Sequence, residues 1–131
     1  MAQYLLDASV LIDWLNGRRQ AVELLDGLVR RGEVLAVNAI AIAETFSGLS
    51  AEDRELAEPV LRTLEFWDID FEVARLAGTY RYTYARSGRP LSVPDVLMAA
   101  HAVARDAALV TGNVRDFPMP ELRLLKLPPL P

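Results

Sequence analysis

Five short apolar runs, the first four separated by stretches of helical periodicity, constrain this chain more than any other feature. Tyr4–Asp7 (YLLD), Val34–Val37 (VLAV), Phe66–Ile69 (FWDI), Ala108–Thr111 (ALVT) and Leu122–Leu127 (LRLLKL) read as strands. Between them, ASVLIDWL forms a short helix ended by Asn16-Gly17. RRQAVELLDGLVRRG places Val22, Leu25, Leu28 and Val29 on one face, with Gly32 as its stop. Asn38 is positioned to cap AIAIAETFSGL. Ser50 with Asp53 opens a helix to about Thr63, with a kink expected at Pro59. Asp70 caps FEVARLAGTYRYTYARSG, which ends at Gly88, and SVPDVLMAAHA follows. Strands joined through helices run parallel, because a parallel pair needs a crossover. The expected fold is a three-layer α/β/α domain with a central, mainly parallel sheet of four to five strands. Sites in such sheets form beyond the carboxyl ends of the strands. Asp7 ends the first run, and the segment holding Asp116 follows the fourth.

At 131 residues and 52% hydrophobic, the chain is expected to be one domain over 1–131, with a flexible tail at 128–131 (PPLP). It has no cysteine, which removes disulfides, thiolate zinc sites and cysteine nucleophiles and suits a cytoplasmic location. Its one histidine, His101, excludes a multi-histidine metal centre within one chain. The apolar N-terminus has no basic region and is interrupted by Asp7 and Asp13, so neither a signal peptide nor a membrane span is expected. A net charge of −4 argues against a generally sticky nucleic-acid binder, though not against a nucleic-acid enzyme that works through bound cations. Gly27 and Gly32 have P-loop spacing, but Glu33 follows instead of lysine, so no nucleotide cofactor is implied.

Most of the eighteen acids sit where solvated carboxylates belong, on polar helix faces or in first turns. Asp13 is assigned to such a face, and Asp68 and Asp70 to outward or capping positions. Asp7, Glu44 and Asp95 differ because each lies in an apolar stretch: YLLDASVLI, AIAIAETF and SVPDVLMAAHA. A carboxylate removed from water without a partner costs several kcal/mol, on the order of that for any buried ion, so each needs company. Capping by itself explains Asp7 and Asp95; Ser92 and Pro94 complete a helix start around Asp95. Glu44 lies mid-helix, so its bland alternative is a narrow polar stripe with Ser47 or an arginine partner. Asp116, in TGNVRDFP, could equally be an exposed partner of Arg115. Taken together, four acids with neither histidine nor cysteine make a hard-oxygen set suited to Mg²⁺ or Mn²⁺. Such ions can activate water and stabilise the leaving oxygen in phosphodiester hydrolysis. On this reading Asp95 lies within metal-sharing reach of Asp7.

In this order, YLLDASVLID, AIAETFSGL, LSVPDVLMAAHA and LVTGNVRDF resemble a PIN domain, in particular the toxin ribonucleases of VapBC-type toxin–antitoxin pairs. The resemblance covers nearly the whole chain. It implies that Asp7, Glu44, Asp95 and Asp116 form an acidic quartet holding Mg²⁺ or Mn²⁺. Ser9, Thr111 and Asn113 would be supporting polar groups. It also implies cleavage of RNA, in many relatives transfer RNA, a homodimer, and a VapB-type antitoxin that wraps the toxin. Position 112 is glycine where many relatives carry a larger, often basic residue, and His101 stands where a small or β-branched residue is usual.

Other features carry weaker expectations. His101 is six residues from Asp95, about a third of a turn off its face, and reads as a packed or surface residue. Tyr80, Arg81, Tyr82, Tyr84, Arg86 and Arg89 interleave aromatics and cations, which suits RNA or a partner surface, with Tyr80, Arg81, Tyr84 and Arg86 as the candidate contacts. The alternative is a Tyr80–Tyr84 packing pair with solvated arginines. Two other functions compete with the nuclease. A receiver-like signalling domain needs a second acid beside Asp7 and a lysine after a late strand, whereas Lys126 is the only lysine. A binding module would use the acidic pocket only to receive a basic peptide.

Overall fold

The computed structural model describes residues 1–128, so all of the expected tail except Pro128 lies outside the described residues. The strands are β1 (Gln3–Leu6), β2 (Val34–Val37), β3 (Glu65–Phe66), β4 (Ala108–Thr111) and β5 (Leu124–Lys126). The helices are α1 (Ala8–Leu15), α2 (Arg19–Arg30), α3 (Ala39–Ser47), α4 (Ala51–Leu61), α5 (Phe71–Arg86) and α6 (Val93–Ala104), with a 3₁₀ turn at Val114–Asp116. The sheet order is β3-β2-β1-β4-β5 and every neighbouring pair is parallel. Chain connections run from β1 to one edge and then return to β4 on its other side. That reversal puts helices on both faces of the sheet and opens a crevice between the carboxyl ends of β1 and β4.

The interior strands are apolar because both their faces are covered. Leu5 pairs in register with Ala36 on one side and Leu109 on the other, and all three are fully buried. Burial of a leucine of this kind stabilises the fold by roughly 2–3 kcal/mol. Helix α6 is enclosed along most of its length: Val96, Met98, Ala99, Ala100, His101 and Ala102 are all buried. Its alanines let α5 and the sheet approach closely.

The helix starts fall where the capping residues placed them. Asn38, Ser50, Asp70 and Ser92 each accept a backbone N–H three residues on, at 3.0, 3.1, 2.9 and 3.2 Å. Gly32 has φ +74°, the left-handed conformation that stops α2.

Several expectations shift. β1 ends at Leu6, and Asp7 is the N-cap of α1 rather than a strand residue. Only Glu65 and Phe66 form the third strand, an exposed edge, because beyond Phe66 only the Trp67 amide continues the ladder, to the Val37 carbonyl. β5 is shorter than LRLLKL. On α2 the buried face is Ala21, Leu25 and Leu28, while Val22 is half-buried and Val29 exposed. α4 contains Pro59 but closes two residues later, at Leu61.

Candidate active site

Asp7 occupies the crevice where the connections change direction. Its backbone N–H donates to the Val110 carbonyl at 3.0 Å, continuing the β1–β4 ladder by one residue. The side chain is nearly buried, and three donors fix it. Oδ1 accepts the Ala8 N–H at 2.9 Å, while Oδ2 accepts the Thr111 hydroxyl at 2.7 Å and the Ser9 hydroxyl at 3.2 Å. Thr111 is fully buried at the end of β4, and its Oγ1 in turn accepts the Asn113 N–H at 3.0 Å. Ser9 Oγ accepts the Gly112 N–H at 3.1 Å. Thus Ser9 and Thr111 orient the Asp7 carboxylate, and the 112–113 backbone orients the two hydroxyls. Asn113 enters through its backbone; its side chain is exposed. A carboxylate has about four lone-pair positions, so Asp7 keeps accepting capacity toward the crevice.

The other three acids gather around it by their fields. Glu44 is on α3, open to solvent, yet partial desolvation raises its carboxyl above the ordinary value, and the charges of Asp7 and Asp95 raise it further. Asp95 stands in the first turn of α6, half-buried, behind the Ser92 cap and Pro94. Desolvation raises its carboxyl, the Ser92 hydroxyl pulls it down, and the charges of Asp116 and Asp7 push it up again. Asp116 is exposed on the 3₁₀ turn just after β4. The four thus come from four elements that all begin or end on the carboxyl side of the sheet. None is in an ion pair among the described residues, whereas Asp13, Glu23, Glu58, Glu65, Glu72 and Asp106 all pair with arginines. Among the described residues no three carboxylates close on one point as metal ligands. Such a spread set fits a hydrated hard cation, which binds one or two carboxylates directly and keeps several waters.

Other residues fall differently from expectation. Asp13 is half-buried and pairs with Arg18 at 3.0 Å. The pair lines a cavity of about 350 Å³ that also reaches Ser9, Gly112 and Asn113. A Cβ added at 112 would meet only Ser9, with its Oγ at 3.8 Å, an ordinary contact, so the backbone there leaves room for a Cβ. Tyr80 is 8% exposed and its hydroxyl donates to Glu121, so it is a core residue rather than an RNA or partner contact. Burial, followed by that bond, pushes the Tyr80 phenol strongly upward. Tyr84 is half-buried against the same core. Arg81 donates to the Leu91 carbonyl at 3.1 Å, and Arg86 lies 3.7 Å over the ring of Tyr82. Tyr82, from the same aromatic and arginine stretch, is the tyrosine of α5 left exposed.

His101 is packed, as expected of a lone helical histidine. Its Nδ1 lies 2.9 Å from Asn38 Nδ2, and its ring meets Trp67 edge-on at 5.9 Å. Nδ1 therefore accepts and the imidazole is neutral. Burial lowers its pKa, with Arg105 adding to the effect, while Asp70 and Asp68 oppose it. The bond braces Asn38, whose Oδ1 caps the helix that carries Glu44.

The PIN domain family profile matches residues 4–118. Ribonuclease VapC19 of Mycobacterium tuberculosis is 32% identical over 120 residues, 91% of this chain and 96% of that protein. A tRNA(fMet)-specific endonuclease VapC of Salmonella typhimurium is 28% identical over 122 residues, 89% of this chain and 91% of that protein. Among solved structures, a chain of DNA-bound VapBC from Salmonella typhimurium superposes with a TM-score of 0.84 at 26% identity, covering 98% of this chain and 100% of that one. A five-stranded parallel sheet with its acids at the reversal point, and a family match spanning most of its length, lead to one assignment: this chain belongs to the PIN domain family.

Proposed function

We propose that this chain is an endoribonuclease, the toxin of a VapBC-type pair, that hydrolyses RNA phosphodiester bonds at the acid cluster with Mg²⁺ or Mn²⁺ held by Asp7, Glu44, Asp95 and Asp116. The observation that carries the reading is the set of four carboxylates at the sheet reversal that are in no ion pair among the described residues; desolvation raises Glu44 and Asp95, and the charge of Asp7 raises both further. Bound there, a divalent cation supplies Lewis-acid activation of water and neutralises charge at the phosphate. The chain does the rest. Thr111 and Ser9 hold Asp7 in one orientation, Ser92 and Pro94 start the helix that presents Asp95, and Asn38 starts the one that presents Glu44.

The Salmonella relative is named for transfer RNA cleavage, which makes transfer RNA the first substrate to test. The neighbour solved as VapBC supports a VapB-type antitoxin as the partner, and a homodimer is part of the same reading. Among the described residues no helix is long and apolar enough to cross a membrane. The sheet order and the family match set the receiver-like alternative aside.

The test is cleavage of a transfer RNA pool by wild type, Asp7→Asn and Asp95→Asn, with Mg²⁺ or Mn²⁺ and with chelator. Cation-dependent cleavage that both variants lose by a factor of at least about 10² is expected. Equal cleavage by wild type and variants would refute the site. Tight uptake of a basic peptide with no cleavage and no cation binding would favour the binding-module alternative.

A further inference from the structure

Helix α5 turns unlike faces in different directions. Tyr80 and Tyr84 pack inward, while Arg81, Tyr82 and Arg86 line an open groove of about 540 Å³ whose other side includes Leu91 and Val93. The groove approaches the acids along the chain: Val93 and Asp95 share the first turn of α6. Arg89 donates to the carbonyl of Arg115, the residue before Asp116.

The charge distribution gives this face its meaning. Six of the fourteen basic residues pair with carboxylates: Arg18, Arg19, Arg62, Arg75, Arg105 and Arg123. Arg81, Arg86, Arg89 and Arg115 are in no ion pair among the described residues; Arg81 and Arg86 line the groove, and Arg89 holds the backbone of Arg115, which precedes Asp116. Arg30 and Arg31, also outside those pairs, end and cap α2 at the opposite, amino end of the strands, and Arg54 and Lys126 do not line the groove. A chain of net charge −4 with a concentrated acid cluster repels a polyanion unless a positive lane leads to the cut. Tyr82 is 60% exposed, with the Arg86 guanidinium over its ring at 3.7 Å. An exposed ring beside cations is a stacking platform for an unpaired base.

We infer that this groove is the substrate lane for single-stranded RNA. Phosphates flanking the scissile bond lie on Arg81, Arg86, Arg89 and Arg115, and one base stacks on Tyr82. The inference rests on the nuclease reading and is tested apart from it, by binding. In an Asp95→Asn background, the affinity of a fluorescent single-stranded RNA is measured by anisotropy over a series of KCl concentrations. Arg86→Gln combined with Arg115→Gln should flatten the slope of log K against log salt by about 0.7 for each contact removed. Tyr82→Ala should weaken binding about tenfold and leave the slope unchanged. Slopes and affinities equal to those of the background overturn the lane. Sedimentation velocity supplies the other decisive outcome: variants that split a dimer but bind RNA normally make this face a subunit interface. Salt-dependent binding through these residues, with no cleavage by wild type, would sink the nuclease reading and keep the lane.

Discussion

Replacing Thr111 with valine removes one hydroxyl and almost no volume. The hydroxyl makes two bonds in a fully buried position, donating to Asp7 Oδ2 at 2.7 Å and accepting the Asn113 N–H at 3.0 Å. A hydrogen bond to a charged group contributes about 1.5–3 kcal/mol, and a donor left unpaired costs about 1 kcal/mol or more. The expected destabilisation is therefore about 2–4 kcal/mol. At about 2.1 cal/mol/K of unfolding entropy per residue, a chain of this length loses roughly 4 °C of Tm per kcal/mol, which predicts a fall of about 7–15 °C. Ser9, at 3.2 Å, is then the one side-chain donor left to Oδ2, so the carboxylate can rotate. Losing a group that orients a metal ligand lowers cation affinity or activity by about 10–100-fold. The assay pairs thermal melts in chelator with Mn²⁺ titration by calorimetry. Thr111→Ser keeps the hydroxyl and should restore cation affinity while losing some stability through its missing methyl. The reasoning fails if Thr111→Val melts and binds Mn²⁺ as wild type does, or if Thr111→Ser binds no better than Thr111→Val.

Three further outcomes are expected. Because burial lowers the pKa of His101, the unfolded chain binds more protons than the folded one below the free-histidine value of 6.5. The stability contribution of neutral His101 is thus complete above that value and lost as pH falls from 6.5 toward the lowered folded pKa; His101→Gln should remove this part of the acid sensitivity in melts across pH. Tyr80→Phe removes the bond to Glu121 and should cost about 0.5–1.5 kcal/mol by urea unfolding, with RNA cleavage unchanged. A loss of RNA affinity in that variant would return Tyr80 to the contact surface. Ser92→Ala removes the α6 cap and should cost about 1 kcal/mol, and it should also lower cleavage, because the same residue starts the helix that presents Asp95; unchanged cleavage would show that Asp95 is placed without the cap.

Where the order of elements was legible, local rules were enough. Asn38, Ser50, Asp70 and Ser92 act within three residues of themselves, so their capping roles could be read from the string. Apolar strand runs marked β1, β2 and β4 because those strands are covered on both faces. The edges were harder. FWDI has the composition of a buried strand, but two exposed residues pair at the sheet margin and Trp67 turns into the core. On α5 the sequence named tyrosines and arginines together. Only packing separated Tyr80, sealed against Glu121, from Tyr82, left on the surface under Arg86.

By itself the sequence determined which residue types were on hand for chemistry: acids in apolar company, no cysteine, and a single histidine, too few for a multi-histidine metal centre within one chain. It also determined alternating strands and helices, because hydrophobic period and capping are local. The tertiary structure decided that Asp7 and Thr111, 104 positions apart, share one hydrogen bond. It also brought Glu44, Asp95 and Asp116 into each other's fields, or into that of Asp7. The cause is the return of the chain to β4 beside β1, a long-range strand pairing that no local pattern encodes.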